Sequence, residues 1–186
     1  MQRTTFCFWS AWVLAALLIV NAGPALRVVH AAEAAWTTAG ARAGWSFNDG
    51  DASFSQFDVF GHYGLPWHWQ WGHRVNVASR LTGSAGLLAG GGDLGLLGSM
   101  GFAFVFGVPG GALKIDAGSA LTLMSEDEYG DEDLGGPLAF THHVGMTWDF
   151  TDRLGVFGRI QHMSNAGLYG DNPGVNMIMF GGAYRF

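Results

Sequence analysis

The chain has 186 residues, nine basic and fifteen acidic side chains for a formal net charge of −6, one cysteine, 30 glycines and eight tryptophans. The length fits one domain, the acidic balance argues against nucleic acid as a partner, and a single cysteine excludes an intrachain disulfide. Few charges with many glycines and aromatics are unusual for a soluble domain and fit strands that meet lipid.

At the N-terminus, Arg3 precedes an apolar run of ten residues, Ala11 to Val20, too short to span a bilayer comfortably. Small residues follow, with candidate cleavage points after Ala31, Ala32 or Ala34. Residues 1–34 therefore read as a secretory signal peptide and 35–186 as the mature domain. Cys7 would leave with the signal. So would Arg3, Arg27 and Glu33, leaving seven basic and fourteen acidic residues and a formal net charge of −7.

Period-2 alternation then recurs along the chain. Gln56, Asp58 and His62 share a face opposite Phe57, Val59 and Tyr63. Between residues 70 and 82, Gln70, Arg74, Asn76, Arg80 and Thr82 oppose Trp71, His73, Val75, Val77 and Leu81. Lys114, Asp116 and Thr122 oppose Leu113, Ile115, Ala117, Leu121 and Leu123. Thr141, His143, Thr147 and Asp149 oppose Phe140, Val144, Met146, Trp148 and Phe150. Such runs predict eight strands, at about 36–47, 54–65, 69–88, 96–107, 112–124, 139–150, 154–165 and 176–186. The predicted fold is all-β: an eight-stranded antiparallel transmembrane β-barrel of a Gram-negative outer membrane, apolar face to lipid and polar face inside.

Short turns are expected at Pro66-Trp67, at 108–111 and at 151–153, alternating with longer connections at 48–53, 90–95, 125–137 and 166–175. An even strand count puts both termini on the periplasmic side. An eight-stranded interior is just filled by side chains. Inward Arg42, Arg74, Arg80, Lys114 and Arg159 with Asp58, Asp116 and Asp149 read as a structural ion-pair network. The acidic loop 126–133 carries six acids, lacks EF-hand spacing and reads as a solvated surface, with a weak divalent-cation site as the other reading. His142 and His143 fall on opposite faces and cannot share a metal; no role is evident for His73 or His142. No metal or cofactor motif is present.

The chemistry concentrates in residues 160–186. Residues i and i+2 of a strand share a face, so His162 and Ser164 lie together, about 7 Å apart along the strand, close enough for a base and a hydroxyl nucleophile to meet. Arg159 and Gln161 belong to the wet interior, which turns His162 and Ser164 outward. The final run places Ile178, Phe180, Tyr184 and Phe186 on its even face, with Asn176. Two strands joined by one outer loop thus converge His162, Ser164 and Asn176 on a lipid-facing surface, where polar groups are expensive and mark function. Asn165, the Gly167 backbone N–H and Asn172 are candidate oxyanion donors just past the nucleophile.

The string His162-x-Ser164-Asn165-Ala166-Gly167-Leu168, its Gly/Asn/Pro turn, and a last strand ending Tyr184-Arg185-Phe186 resemble the lipid A 3-O-deacylases, also called acyloxyacyl hydrolases. The match is tightest over about the last 30 residues. The resemblance implies an eight-stranded outer-membrane barrel with Ser164 as nucleophile and His162 as base. It implies lipid A, within lipopolysaccharide, as substrate and removal of the ester-linked 3-hydroxyacyl chain at its position 3. Where the best-known members carry a catalytic Glu fourteen residues after the His, this chain has Asn176. An Asn carbonyl can hold the imidazole, as in Cys-His-Asn proteases, but supplies no charge; Asp171 is the nearby acid that could compensate. The alternatives are a non-catalytic structural or adhesive barrel with a degenerate site, and an acyltransferase on the same lipid. The terminal Phe186 looks like the signal read by the outer-membrane assembly machinery.

Overall fold

The computed structural model describes residues 26–29, 33–47, 53–71 and 74–186. Most of the expected signal peptide, and His73, lie outside them. The described residues form eleven strands: β1 (Leu26–Val29), β2 (Ala35–Ser46), β3 (Phe54–Trp71), β4 (Val75–Gly90), β5 (Asp93–Gly107), β6 (Leu113–Met124), β7 (Glu128–Tyr129), β8 (Glu132–Asp133), β9 (Leu138–Asp149), β10 (Leu154–Ser164) and β11 (Gly174–Arg185). Eight of them, β2 to β6 and β9 to β11, form one antiparallel sheet in sequence order, closed into a barrel by the pairing of β11 with β2. Closure removes the sheet edges and pairs the backbone polar groups, which a lipid-exposed structure requires. The short β1 adds to the far end of β3, and β7 with β8 makes a small hairpin inside the loop between β6 and β9.

The outward positions are apolar along most strands: Val144, Ile160 and Phe180 are each about half exposed (55, 48 and 49%). The inward positions change character along the barrel axis. At the end where the hairpin and the β10–β11 loop lie, Phe54, Leu88, Leu97, Met124, Tyr129, Leu134, Ala139, Met163, Val175, Met177 and Met179 pack as an apolar plug. Alternation alone did not distinguish this greasy inner layer from the polar one beneath it. Burial, together with the neighbouring Glu126, Asp127 and Asp93, pushes the Tyr129 hydroxyl pKa above its usual value.

Below the plug the interior is a polar network. Arg42 Nε pairs with Asp58 at 2.6 Å, and Gln56 donates to both Asp58 oxygens at 2.9 and 3.0 Å. Gln161 donates to Gln56 at 2.8 Å and accepts from Arg159. Arg80 and His143 both reach Asp116, at 2.6 and 3.1 Å, and Lys114 and Arg185 both pair with Asp149. Gly86 makes room for this layer: a Cβ there would stand 2.5 Å from Asp58 Oδ1 and 2.0 Å from the Phe57 carbonyl oxygen. Toward the opposite end the network opens into a cavity of about 690 Å³ lined by Arg80, Asp116, Asp149 and Arg159.

Three sequence expectations are corrected. Pro66-Trp67 is not a turn: β3 runs through it to Trp71, and a register shift between Gly64 and His68 absorbs the proline, as a bulge can. The connection at 90–95 is a tight turn at Gly91-Gly92, whose φ values of 58° and 96° suit glycine. Arg74 sits exposed in the turn before β4 and takes no part in the interior network. The other inward basic and acidic residues lie where the alternation places them.

Candidate active site

The register of the last two strands builds the site. β10 and β11 pair so that His162 lies directly opposite Asn176, and Ser164 opposite Gly174. In β10 the odd positions 159, 161 and 163 are buried inside, which turns His162 and Ser164 outward. In β11 the buried odd positions 175, 177 and 179 turn Asn176 outward. All three side chains therefore meet on the lipid-facing surface, near the loop end of the barrel.

They are hydrogen-bonded in series. His162 Nδ1 lies 2.8 Å from Asn176 Oδ1, and His162 Nε2 lies 3.1 Å from Ser164 Oγ. A carbonyl oxygen only accepts, so Nδ1 carries the ring proton and Nε2 is the acceptor. Ser164 then donates its hydroxyl proton to Nε2, the arrangement a serine nucleophile needs of its base. Gly174 matters to this packing: a Cβ there would stand 2.7 Å from His162 Cε1. The glycine beside the ring was not singled out from sequence, because only the register brings it there.

The loop after Ser164 is held by Asn165. Position 165 continues the inward phase of β10, and its side chain is fully buried. Its Nδ2 donates to the Leu134 carbonyl oxygen at 3.1 Å, and its Oδ1 accepts the Gly167 N–H at 2.8 Å. Ala166 and Gly167 follow with positive φ of 55° and 80°; a non-glycine residue there is uncommon and needs such support. Two of the three oxyanion candidates, the Asn165 amide and the Gly167 N–H, are thus engaged with each other and with Leu134. Asn172 is exposed in the same loop, as is Asp171. The partner of His162 Nδ1 is Asn176, not Asp171.

The row does not end at His162. His142 on β9 lies directly opposite it, and Ser119 on β6 lies opposite His142. Ser119 Oγ and His142 Nδ1 are 2.8 Å apart. Sequence reasoning left His142 without a role; a polar residue in an otherwise apolar outward phase was the signal available. Among the described residues, no three His, Cys, Asp or Glu side chains are grouped to hold a metal ion.

Fold and site together define an outer-membrane β-barrel with a hydrogen-bonded Ser–His–Asn series on its lipid-facing wall. The family profile described as "Lipid A 3-O-deacylase (PagL)" matches residues 34–185, and the chain belongs to that family. It is 36% identical over 120 residues to the lipid A deacylase PagL of Pseudomonas aeruginosa, covering 60% of this chain and 69% of that one. It is 32% identical over 74 residues to the lipid A deacylase PagL of Bordetella bronchiseptica, covering 39% of this chain and only 40% of that relative. The crystal structure of the outer membrane enzyme PagL superposes with a TM-score of 0.67 at 22% identity, covering 78% of this chain and 97% of that one; this likeness concerns the fold.

Proposed function

We propose that the chain is a serine esterase that removes the ester-linked 3-hydroxyacyl chain at position 3 of lipid A in the outer leaflet. The observation that carries this reading is the series Asn176–His162–Ser164 on the outward wall, where an acyl chain of a neighbouring lipid can lie along the apolar strand surface below it. Family membership supplies the substrate class.

In this mechanism Ser164 Oγ attacks the ester carbonyl carbon as its proton passes to His162 Nε2. The carbonyl π pair moves onto oxygen, giving a tetrahedral oxyanion. Collapse breaks the bond to the sugar oxygen, which leaves with the proton from His162, and Ser164 keeps the acyl group. Water, deprotonated by His162, attacks the acyl-enzyme by the reverse sequence and releases the fatty acid. Asn176 Oδ1 holds the ring in the required tautomer throughout. Asn172 is a further oxyanion candidate from the loop.

The rest of the reading follows the topology. The end carrying the β7–β8 hairpin and the β10–β11 loop faces outward, and both chain termini of the barrel domain lie on the periplasmic side. Residues 1–34 act as a signal peptide, which N-terminal sequencing of the membrane form checks. Phe186, 73% exposed at the end of the closing strand, engages the assembly machinery, so its deletion should lower the yield of heat-modifiable barrel. The deciding experiment is release of 3-hydroxy fatty acid from lipopolysaccharide by purified protein in detergent. Release by wild type and none by Ser164→Ala supports the esterase; equal release by both ends it. No release by wild type favours the degenerate barrel, a reading that rests on the neutral Asn176.

A further inference from the structure

An eight-stranded barrel is expected to be just filled by side chains, yet about 690 Å³ stays open at the end carrying the turns at 108–111 and 151–153. The charges inside this half are uneven. Arg42, Arg80, Lys114, Arg159 and Arg185 line the cavity, against Asp58, Asp116 and Asp149 in the same network. Arg42 takes Asp58, Arg80 shares Asp116 with His143, and Lys114 and Arg185 share Asp149. Arg185 is also held by the carbonyl oxygens of Asp152 and Thr151. Arg159 is left with no carboxylate. It is 9% exposed, and its one hydrogen bond among the described residues goes to Gln161. Asp152, the remaining acid of the lining, is exposed at the rim. Burying a guanidinium without a counter-charge is costly. Unpartnered nitrogens gather in the same place. Among the described residues five buried side-chain N or O atoms lack a partner; four of them, His62 Nδ1, His68 Nδ1, Arg80 Nε and Arg159 Nε, belong to residues lining this cavity. Buried polar groups are normally bonded, so a cluster of exceptions asks for a ligand.

We infer that this cavity is a binding site for a small free oxyanion of the phosphate type, held by the guanidinium groups of Arg159 and Arg80 with His62 beside them. β4 and β10 stand four strands apart in the closed order of eight, so Arg80 and Arg159 rise from opposite walls of the barrel. Asp116 brings them together. Its Oδ2 bonds Arg80 at 2.6 Å, while its Oδ1 and the Arg159 Cβ each lie 2.9 Å from where a Cβ on Gly145 would stand. The missing side chain at 145 is what lets the two approach. Arg80 and His62 are diagonal neighbours on the inward face, because Arg80 pairs with Gly64 and His62 with Thr82; Gly64 adds no side chain between them. Guanidinium forks match the oxygens of a phosphate in pairs, which suits an oxyanion better than a spherical halide. The charge count agrees: five cations against three carboxylates leave two positive charges, which one dianion closes. The volume lies within the range of small-molecule sites, about 300–1,000 Å³, and leaves room for water around the ion. This end faces the periplasm in the topology proposed above, so a free ion enters from there. The inference does not rest on the esterase reading.

The test titrates inorganic phosphate into purified, heat-modifiable protein in non-ionic detergent at about pH 8, where phosphate is a dianion. Sodium chloride holds the ionic strength constant, and binding is read by calorimetry and by the heat-modification temperature. Wild type should bind phosphate saturably with a Kd of about 1 mM or tighter. Its heat-modification temperature should rise with phosphate, as linkage requires of a ligand bound by the folded barrel alone. Arg159→Gln keeps a donor toward Gln161 and removes the charge, so it should bind at least about tenfold more weakly, the scale of one lost charge-assisted bond. In phosphate-free buffer it should be no less heat-resistant than wild type, because the charge removed strands no carboxylate. Should Arg159→Gln fail to assemble, Arg80→Gln, which leaves Asp116 with His143, carries the test with the same expected loss. Arg153→Gln, in the exposed turn and outside the lining, should bind as wild type does. The inference is overturned if wild type shows no saturable phosphate binding, or if sodium chloride alone reproduces the rise in temperature. It is equally overturned if the Arg159 or Arg80 variant binds as tightly as wild type, or if Arg153→Gln weakens binding as much as they do.

Discussion

Replacing Asn176 tests how the site works without a carboxylate. Its Oδ1 makes one neutral hydrogen bond of 2.8 Å to His162 Nδ1. A neutral bond of this kind contributes about 0.5–1.5 kcal/mol net, so Asn176→Ala should lower kcat roughly two- to twelvefold if the bond is fully used in the transition state. Asn176→Glu adds a charge exactly where the imidazolium forms. Charge-assisted bonds are about twice as strong as neutral ones, and a further stabilisation of about 1.4 kcal/mol raises kcat by about tenfold. Opposing this, the carboxylate must sit on an outward wall near the strand end, where charged groups destabilise barrels by about 0–1 kcal/mol rather than the larger midplane values. The assay is kcat for fatty-acid release by wild type, Ala and Glu, with the heat-modification temperature of each. Unchanged rates in both variants would refute the assignment of Asn176 and move attention to Asp171.

Three other outcomes follow from the geometry. Ser164→Ala and His162→Ala should each abolish release while leaving the barrel heat-modifiable, and the double variant should be no worse than either single one, because the groups act as a unit. Gly174→Ala places a methyl 2.7 Å from His162 Cε1, and the displaced ring should lower kcat by about a hundredfold, the scale of a 1 Å misplacement, with little effect on unfolding. Asp58→Ala strands the buried Arg42 and should lower stability by about 3–5 kcal/mol in urea unfolding, without a direct effect on the chemistry.

Much of the candidate site was legible in the sequence because a strand has period two. Once Arg159 and Gln161 are assigned inward, His162 and Ser164 must point outward, and Asn165 must point in. The loop between β10 and β11 is short enough that Asn176 could be anticipated opposite them, and the observed pair is His162–Asn176. Ser119 and His142 could not be placed in the same way. Their alignment depends on the registers of β6 with β9 and of β9 with β10, and the 125–137 loop that separates β6 from β9 leaves the first of those open. The Pro66-Trp67 error has a similar origin: turn chemistry predicts a break there, but a bulge lets the strand continue. The apolar plug was hidden because inward and outward faces are both greasy at that level, so alternation loses its contrast.

The polar row also explains how the proposed hydrolytic site can exist on a wall that faces lipid. Ser119, His142, His162, Asn176 and Ser164 occupy outward positions of four adjacent strands, and the strands above and below that level present Leu121, Phe140, Val144 and Ile160. Five polar side chains in hydrocarbon would each carry a desolvation penalty if left alone. Here hydrogen bonds link them in two groups, Ser119 with His142 and Asn176 with His162 and Ser164, so the penalty is largely offset by neutral hydrogen bonds formed across the sheet. A carboxylate at 176 would stabilise the imidazolium and weaken this balance; an amide adds no charge of its own to the row. The same logic sets the expected trade in Asn176→Glu: a faster enzyme in a less stable barrel. A Glu variant that gained rate with no fall in heat-modification temperature would show that lipid exposure places no constraint on the third member of the series.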